Sequence, residues 1–328
     1  MSNNQLSQKT IKIYACGGGG INVGKTMQGY KNAISGAADY SITFVDTSKS
    51  NLASTGGDNN AYFIPNLDGS GKLRAENAAE IQKVALDIIQ KHKPEDVNII
   101  ISTGAGGSGS VIAPVLAREL LLKDKLVIVF NIGSVVSKIE ATNTVNTLKS
   151  YESIARHIGI PVPVVYMENN KIHKRDEINA KVIDFIGELR MLFSGQNGEL
   201  DSKDLYNLLR YTKVTEAPAS VVSLSLSNGV DLLNELGQVI TVASLTVDTE
   251  EAIFPIPAEY RCNGIVPEVI SRGAMDNNPT FFVVSDGIIQ QAIRNIDEVI
   301  ENFSSQRASA VGFESILGDK SADGGLVL

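Results

Sequence analysis

Cysteine and histidine are scarce in this chain. Of its 328 residues, 2 are cysteine and 3 are histidine. Cys16 and Cys262 are too few for a disulfide framework and suit a reducing compartment. His92, His157 and His173 are scattered and share no metal-ligand spacing, so a structural zinc site is not expected. No apolar run approaches the ~20 residues that cross a bilayer, and the polar start, Met1-Ser2-Asn3-Asn4-Gln5, does not read as a signal peptide. Basic blocks are also missing: 29 Lys and Arg stand against 37 Asp and Glu, a net charge of −8. Neither a nucleic-acid surface nor a membrane is therefore an expected partner.

What remains is an ordinary globular composition, with 43% hydrophobic and 20% charged residues, over a length that suits two domains. Short β-branched runs at 11–15, 41–45, 97–102, 125–131 and 162–166 read as strands. Helical patterns near 23–35, 72–93, 110–122 and 142–158 fall between them. That rhythm predicts an α/β fold with a doubly wound, mostly parallel sheet. Its ligand sites lie at the carboxyl ends of the strands. A long helix is expected from His173 to about Phe193, then a second at Asp201–Tyr211. A smaller unit of short elements follows, with strands at 220–224, 239–247 and 280–284. A last amphipathic helix spans about 287–304, and a mildly acidic tail closes the chain.

Both glycine-rich stretches fall at strand ends. The first, "CGGGGINVGKT", contains G-x-x-x-x-G-K-[ST] from Gly19 to Thr26, the pattern of a P-loop nucleotidase. Asp46, closing "SITFVD", is a Walker-B-like acid consistent with that reading. However, a P-loop leaves Cys16, Gly17 and Gly18 as slack, and puts Ile21-Asn22-Val23 where a wrapping loop favours small residues. The competing reading puts the phosphate loop at Cys16–Gly20 and starts the helix at Ile21 or Asn22. Gly24, Lys25 and Thr26 are then ordinary helix residues. The second stretch, Ala105-Gly106-Gly107-Ser108-Gly109-Ser110, also joins a strand to a helix. Its amides, hydroxyls and helix dipole make an anion site.

These residues resemble the tubulin/FtsZ superfamily. "IKIYACGGGGINVGKTM" is similar to its first nucleotide loop. "AGGSGS" is similar to the signature [SAG]-G-G-T-G-[SA]-G, with Ser108 for Thr and Val111 for the last Gly. "GELDSKDL" is similar to the loop Asn-x-Asp-x-x-Asp/Glu that follows the central helix, with Glu199 for Asn and the acids Asp201 and Asp204 kept. The serine form of the signature, the "LD-x-x-D" exit and the end "DGGLVL" are closest to phage-encoded tubulins of the PhuZ type. The likeness spans essentially the whole chain.

The resemblance implies a GTPase that assembles into filaments in the cytoplasm of a bacterial host, with GTP/GDP and Mg²⁺ as ligands. It implies a GTP-binding domain (1–172), the central helix with an acidic catalytic loop (173–214), a C-terminal α+β domain (215–286), and a C-terminal helix and tail (287–328). Phosphates would lie on Gly17, Gly18, Gly19, Gly20 and on Ala105 to Ser110. Gly69, Ser70 and Gly71 would approach the γ-phosphate, and Asp46 and Thr47 the sugar, a phosphate or a Mg²⁺ water. Asn22, Asn170 and Asn179 match positions for base contact, Arg175 a stacking position, and Glu140 and Asn143 the ribose. Asn amides suit guanine because they both donate and accept. Asp201 and Asp204 would be catalytic, with Asp201 also a good N-cap for the next helix. A central helix of about 36 Å, at 1.5 Å per residue, keeps both acids from their own glycine loops. They would act in a head-to-tail neighbour, and the tail would contact another subunit. A plasmid-segregation filament of the TubZ type and a P-loop ATPase switch are the alternatives.

Overall fold

The computed structural model describes residues 10–29, 36–53, 55, 59–195, 197–228, 236–247, 256–266 and 279–310. The tail beyond 310, and with it the expected tail contact, lies outside the described residues.

Among the described residues ten strands form one sheet, in the order β3-β2-β1-β4-β5-β6-β7-β10-β8-β9. The strands are β1 (Thr10–Cys16), β2 (Asp39–Asp46), β3 (Ala61–Phe63), β4 (Val97–Thr103), β5 (Leu126–Ser134), β6 (Val162–Asn169), β7 (Val221–Asn228), β8 (Gln238–Thr246), β9 (Tyr260–Ile265) and β10 (Thr280–Asp286). The helices are α1 (Gly17–Gln28), α2 (Lys49–Leu52), α3 (Arg74–Lys91), α4 (Gly109–Leu122), α5 (Lys138–Ile158), α6 (Arg175–Leu192), α7 (Ser202–Leu209) and α8 (Ile288–Ala310). From β3 to β7 all neighbours are parallel. β10 then pairs antiparallel with both β7 and β8.

The central strands read as near-continuous apolar runs because both faces are covered. On β1, Ile11, Ile13 and Ala15 join one core with Ile21, Val23 and Met27 of α1 and Val182, Ile186 and Leu189 of α6. Tyr14 and Cys16 point the other way, into a core with Ile81 and Ile88 of α3, Ile112 and Leu116 of α4, and Leu148 of α5. Each buried Ile, Val, Leu or Met among them stabilises the fold by roughly 1.5–3 kcal/mol.

Several boundaries differ from the sequence expectation. α1 begins at Gly17, not at Ile21 or Asn22, so the glycines are its first turn rather than an open loop. α5 begins at Lys138, a turn before the expected 142. Ser137 caps it by accepting from the Glu140 N–H, one half of a capping box. α6 has 18 residues, about 27 Å at 1.5 Å each rather than 36. β3, α2 and β9 were not anticipated.

Candidate nucleotide site

The order β3-β2-β1-β4-β5-β6 reverses direction between β1 and β4, and such switch points open a crevice at the strands' carboxyl ends. Both glycine stretches sit there. Gly17 has φ +70, and a Cβ built on it would lie 2.7 Å from Cα and N of Gly109. Two helix N-termini therefore meet backbone to backbone, and a helix N-terminus favours anions. Glycine is required for the packing as well: a Cβ on Gly19 would lie 2.2 Å from Thr103, and one on Gly20 would lie 2.3 Å from the Ile101 carbonyl.

The adjoining cavity has a volume of about 480 Å³, within the range of small-molecule sites. Gly18, Gly19, Ala105 and Gly106 form its glycine wall, with Asn22 and Glu140 beside them. Asn170, Arg175 and Asn179 also line it. Asn170 Oδ1 accepts the N–H groups of Ile172 (2.9 Å) and His173 (2.8 Å), turning the chain into α6.

Thr47, Ser70 and Ser108 make a hydroxyl cluster. Thr47 Oγ1 and Ser108 Oγ are 2.6 Å apart, and Ser108 Oγ donates to Ser70 Oγ at 3.3 Å. A Cβ on Gly107 would lie 1.8 Å from Ser70 Oγ, so the loop carrying Gly69, Ser70 and Gly71 rests directly on the second glycine stretch. Asp46 accepts from Thr47 N (2.7 Å) and Asn51 Nδ2 (2.6 Å). Burial pushes its carboxyl above the ordinary range, and these bonds only partly oppose that.

Asn143 and Ser110 are engaged elsewhere. The Asn143 amide donates to the carbonyls of Lys72 (2.9 Å), Ala105 (3.2 Å) and Gly106 (3.4 Å), tying the two loops together. Ser110 Oγ donates to the Gly107 carbonyl at 2.9 Å. Glu140 takes an ion pair from Lys72 and a hydrogen bond from Ser134 Oγ at 2.7 Å. Burial pushes its carboxyl up, but the bonds from Lys72 and Ser134, with the Lys72 and Arg175 charges, hold it below the usual range.

The acids Asp201 and Asp204 do not join this cavity. They form a capping box at the start of α7: Asp201 Oδ1 accepts from Lys203 N and Asp204 N, and Asp204 Oδ2 from Asp201 N. α6 runs from the cavity wall at Arg175 and Asn179 toward the turn that precedes them.

Gly24, Lys25 and Thr26 lie inside α1. Lys25 Nζ donates to the Asn51 carbonyl at 3.0 Å, and Gly24 lets the helix pack on Phe44. A P-loop lysine stands at the helix start, whereas Lys25 is two turns in.

Sequence reasoning missed Lys72, Ser134 and Asn169, all on the cavity wall. Asn169 Oδ1 is buried with no partner. Only position could have flagged these residues: Lys72 follows the Asp-Gly-Ser-Gly turn, and Asn169 ends a strand on the ligand side.

The fold is of the tubulin/FtsZ-like class. The protofilament form of TubZ from bacteriophage PhiKZ superposes with a TM-score of 0.85 at 25% identity, covering 97% of this chain and 99% of that one. The phage tubulin PhuZ with GDP gives 0.84 at 20% identity, covering 94% and 96%. More particularly, the sequence resembles the phage tubulins: it is 25% identical over 337 aligned positions to the phage tubulin-like protein of Pseudomonas phage phiKZ, spanning 98% of this chain and 99% of the relative. No protein-family model matches the chain.

Proposed function

We propose that this chain is a phage tubulin: a GTP-dependent filament protein whose hydrolytic site is completed between adjacent subunits. One observation carries the reading. Two glycine-started helices abut at Gly17 and Gly109 beside a cavity lined by Asn22, Asn169, Asn170 and Asn179, while the paired acids stand beyond the far end of α6.

The first-turn amides of α1 and α4 receive the phosphates, with the Thr47, Ser70 and Ser108 hydroxyls beside them. Asn22, Asn170 and Asn179 contact guanine, Arg175 lies against the base, and Glu140 faces the ribose. Phosphoryl transfer mostly demands positioning and charge stabilisation, plus a group to orient water. Asp201 and Asp204 do this in the next subunit of a head-to-tail, non-closing polymer. Mg²⁺ fits as an ion held mainly by phosphate and water. Among the described residues no three acidic, Cys or His side chains converge on a metal, but Asp46 and the Thr47 hydroxyl offer oxygens. When bound it neutralises phosphate charge.

Residues 1–172 bind nucleotide, 173–214 carry the acids, and 215–286 and 287–328 support assembly, with the tail reaching a neighbour. The setting is the bacterial host's cytoplasm, and the role is positioning phage DNA or its replication compartment. The second reading, a TubZ-type segregation filament, shares all of this chemistry and differs in cargo.

Light scattering should rise on adding GTP and not ATP, and turnover per molecule should climb with protein concentration. Asp204→Asn should assemble while phosphate release falls at least ~100-fold, about 2.7 kcal/mol. Turnover independent of protein concentration overturns the shared site.

A further inference from the structure

The loop that carries the two acids is docked on β9, an edge strand from the far end of the sheet, at three points. Gly198 and Ile265 exchange two backbone hydrogen bonds of 2.9 Å each. Leu200 packs against Gly264, where an added Cβ would lie 3.2 Å from Leu200 Cβ. Finally, the Tyr260 hydroxyl donates to Asp204 Oδ1 at 2.6 Å.

That last bond completes a directed chain. Asn207, on the next turn of α7, donates its amide to the Tyr260 oxygen at 3.4 Å. Tyr260 passes its own proton toward Asp204 Oδ1, and Asp204 Oδ2 accepts the Asp201 N–H at 3.0 Å. Each carboxylate oxygen thus holds one donor. A carboxylate offers about four acceptor positions, so each oxygen keeps one for another partner. The two bonds fix the plane of the carboxylate without using up its capacity to hold water. Burial and the Asp204 bond push the phenol up to about 12, which keeps Tyr260 a donor through the neutral range.

We propose that Tyr260 is the positioning residue for Asp204, setting the orientation in which α7 presents that carboxylate to the neighbouring subunit's nucleotide. This rests on the reading of Asp204 as a hydrolytic group acting in trans. Pairing with Thr241 of β8 holds the Tyr260 backbone in place, and Tyr260→Phe removes only the hydroxyl.

The test measures phosphate release and GTP-driven light scattering for Tyr260→Phe, Asp204→Asn and the double variant. Tyr260→Phe should assemble at the wild-type critical concentration with turnover in the filament reduced about tenfold, the scale of one hydrogen bond to a charged group. In the Asp204→Asn background it should cause no further fall, because its effect passes through that carboxylate. Unchanged or faster turnover in Tyr260→Phe overturns the proposal. So does a further tenfold fall in the double variant, or failure of Tyr260→Phe to assemble, which would mark a structural contact. Full turnover in Asp204→Asn alone overturns the assignment of Asp204 itself, and this proposal with it.

Discussion

A Cβ on Gly17 would stand 2.7 Å from the Cα of Gly109, and one on Gly109 would stand 2.7 Å from the carbonyl oxygen of Cys16. The N-termini of α1 and α4 thus touch through bare backbone. Gly17→Ala adds the left-handed strain of a positive φ, about 1–2 kcal/mol, to that overlap. Gly17→Ala and Gly109→Ala should each lower unfolding free energy by about 2 kcal/mol or more. Each should also weaken a fluorescent GTP analogue at least ~10-fold. Wild-type affinity in Gly17→Ala would mean that the gap opens at no cost to the site.

Lys25 bonds the Asn51 carbonyl at 3.0 Å and is half-buried along α1. Lys25→Ala should change GTP affinity less than ~3-fold, well under 1 kcal/mol. A P-loop enzyme would lose its phosphate lysine, so loss of nucleotide binding in this variant would restore the ATPase-switch reading. Titration of the same analogue against both proteins decides it.

Asp46 supplies a pH dependence with a defined sign. Its carboxyl is raised by burial, so the folded chain binds this proton more tightly than the unfolded chain does. Its contribution favours folding below the ordinary carboxylate pKa of ~4 and is lost as pH rises from there through the folded value. Asp46→Asn removes that loss. Urea midpoints of the ligand-free protein between pH ~4 and ~7 should fall less steeply with pH in the variant. Parallel slopes for the two proteins would contradict the assignment.

The parallel half of the sheet was legible because β1, β4, β5 and β6 are buried on both faces and so read as unbroken apolar runs. β9, "YRCNGI", carries Arg261, Asn263 and Gly264 in a short edge strand and offers no such signal. The four glycines misled in one respect. Glycine's poor helix propensity suggested a loop, but the close approach of α1 to Ile101 and Thr103 is what those residues permit. The start of α5 was hidden by its polar first turn, although Ser137 and Glu140 carry the cap spacing. The acids Asp201 and Asp204 were legible through the resemblance of "GELDSKDL" to the family's acidic loop. Tyr260 was not, since it lies 56 residues further along the chain and only strand pairing brings it back.

β6 and β7 pair through just three residues, Val162↔Val221 to Val164↔Ser223, whereas β4 and β5 pair through seven. One face of this short seam is braced. Glu152 of α5 accepts the Val221 N–H at 2.8 Å, and Ala141 and Val145 of α5 pack against Ile296 of α8. In mechanical terms the sheet is two plates joined by a narrow strip and clamped on both sides. On one face the clamp is the α5–α8 packing. On the other it is α6, whose Val182, Ile186 and Leu189 share one core with β1 and with Val222, Leu224 and Phe282 beyond the strip.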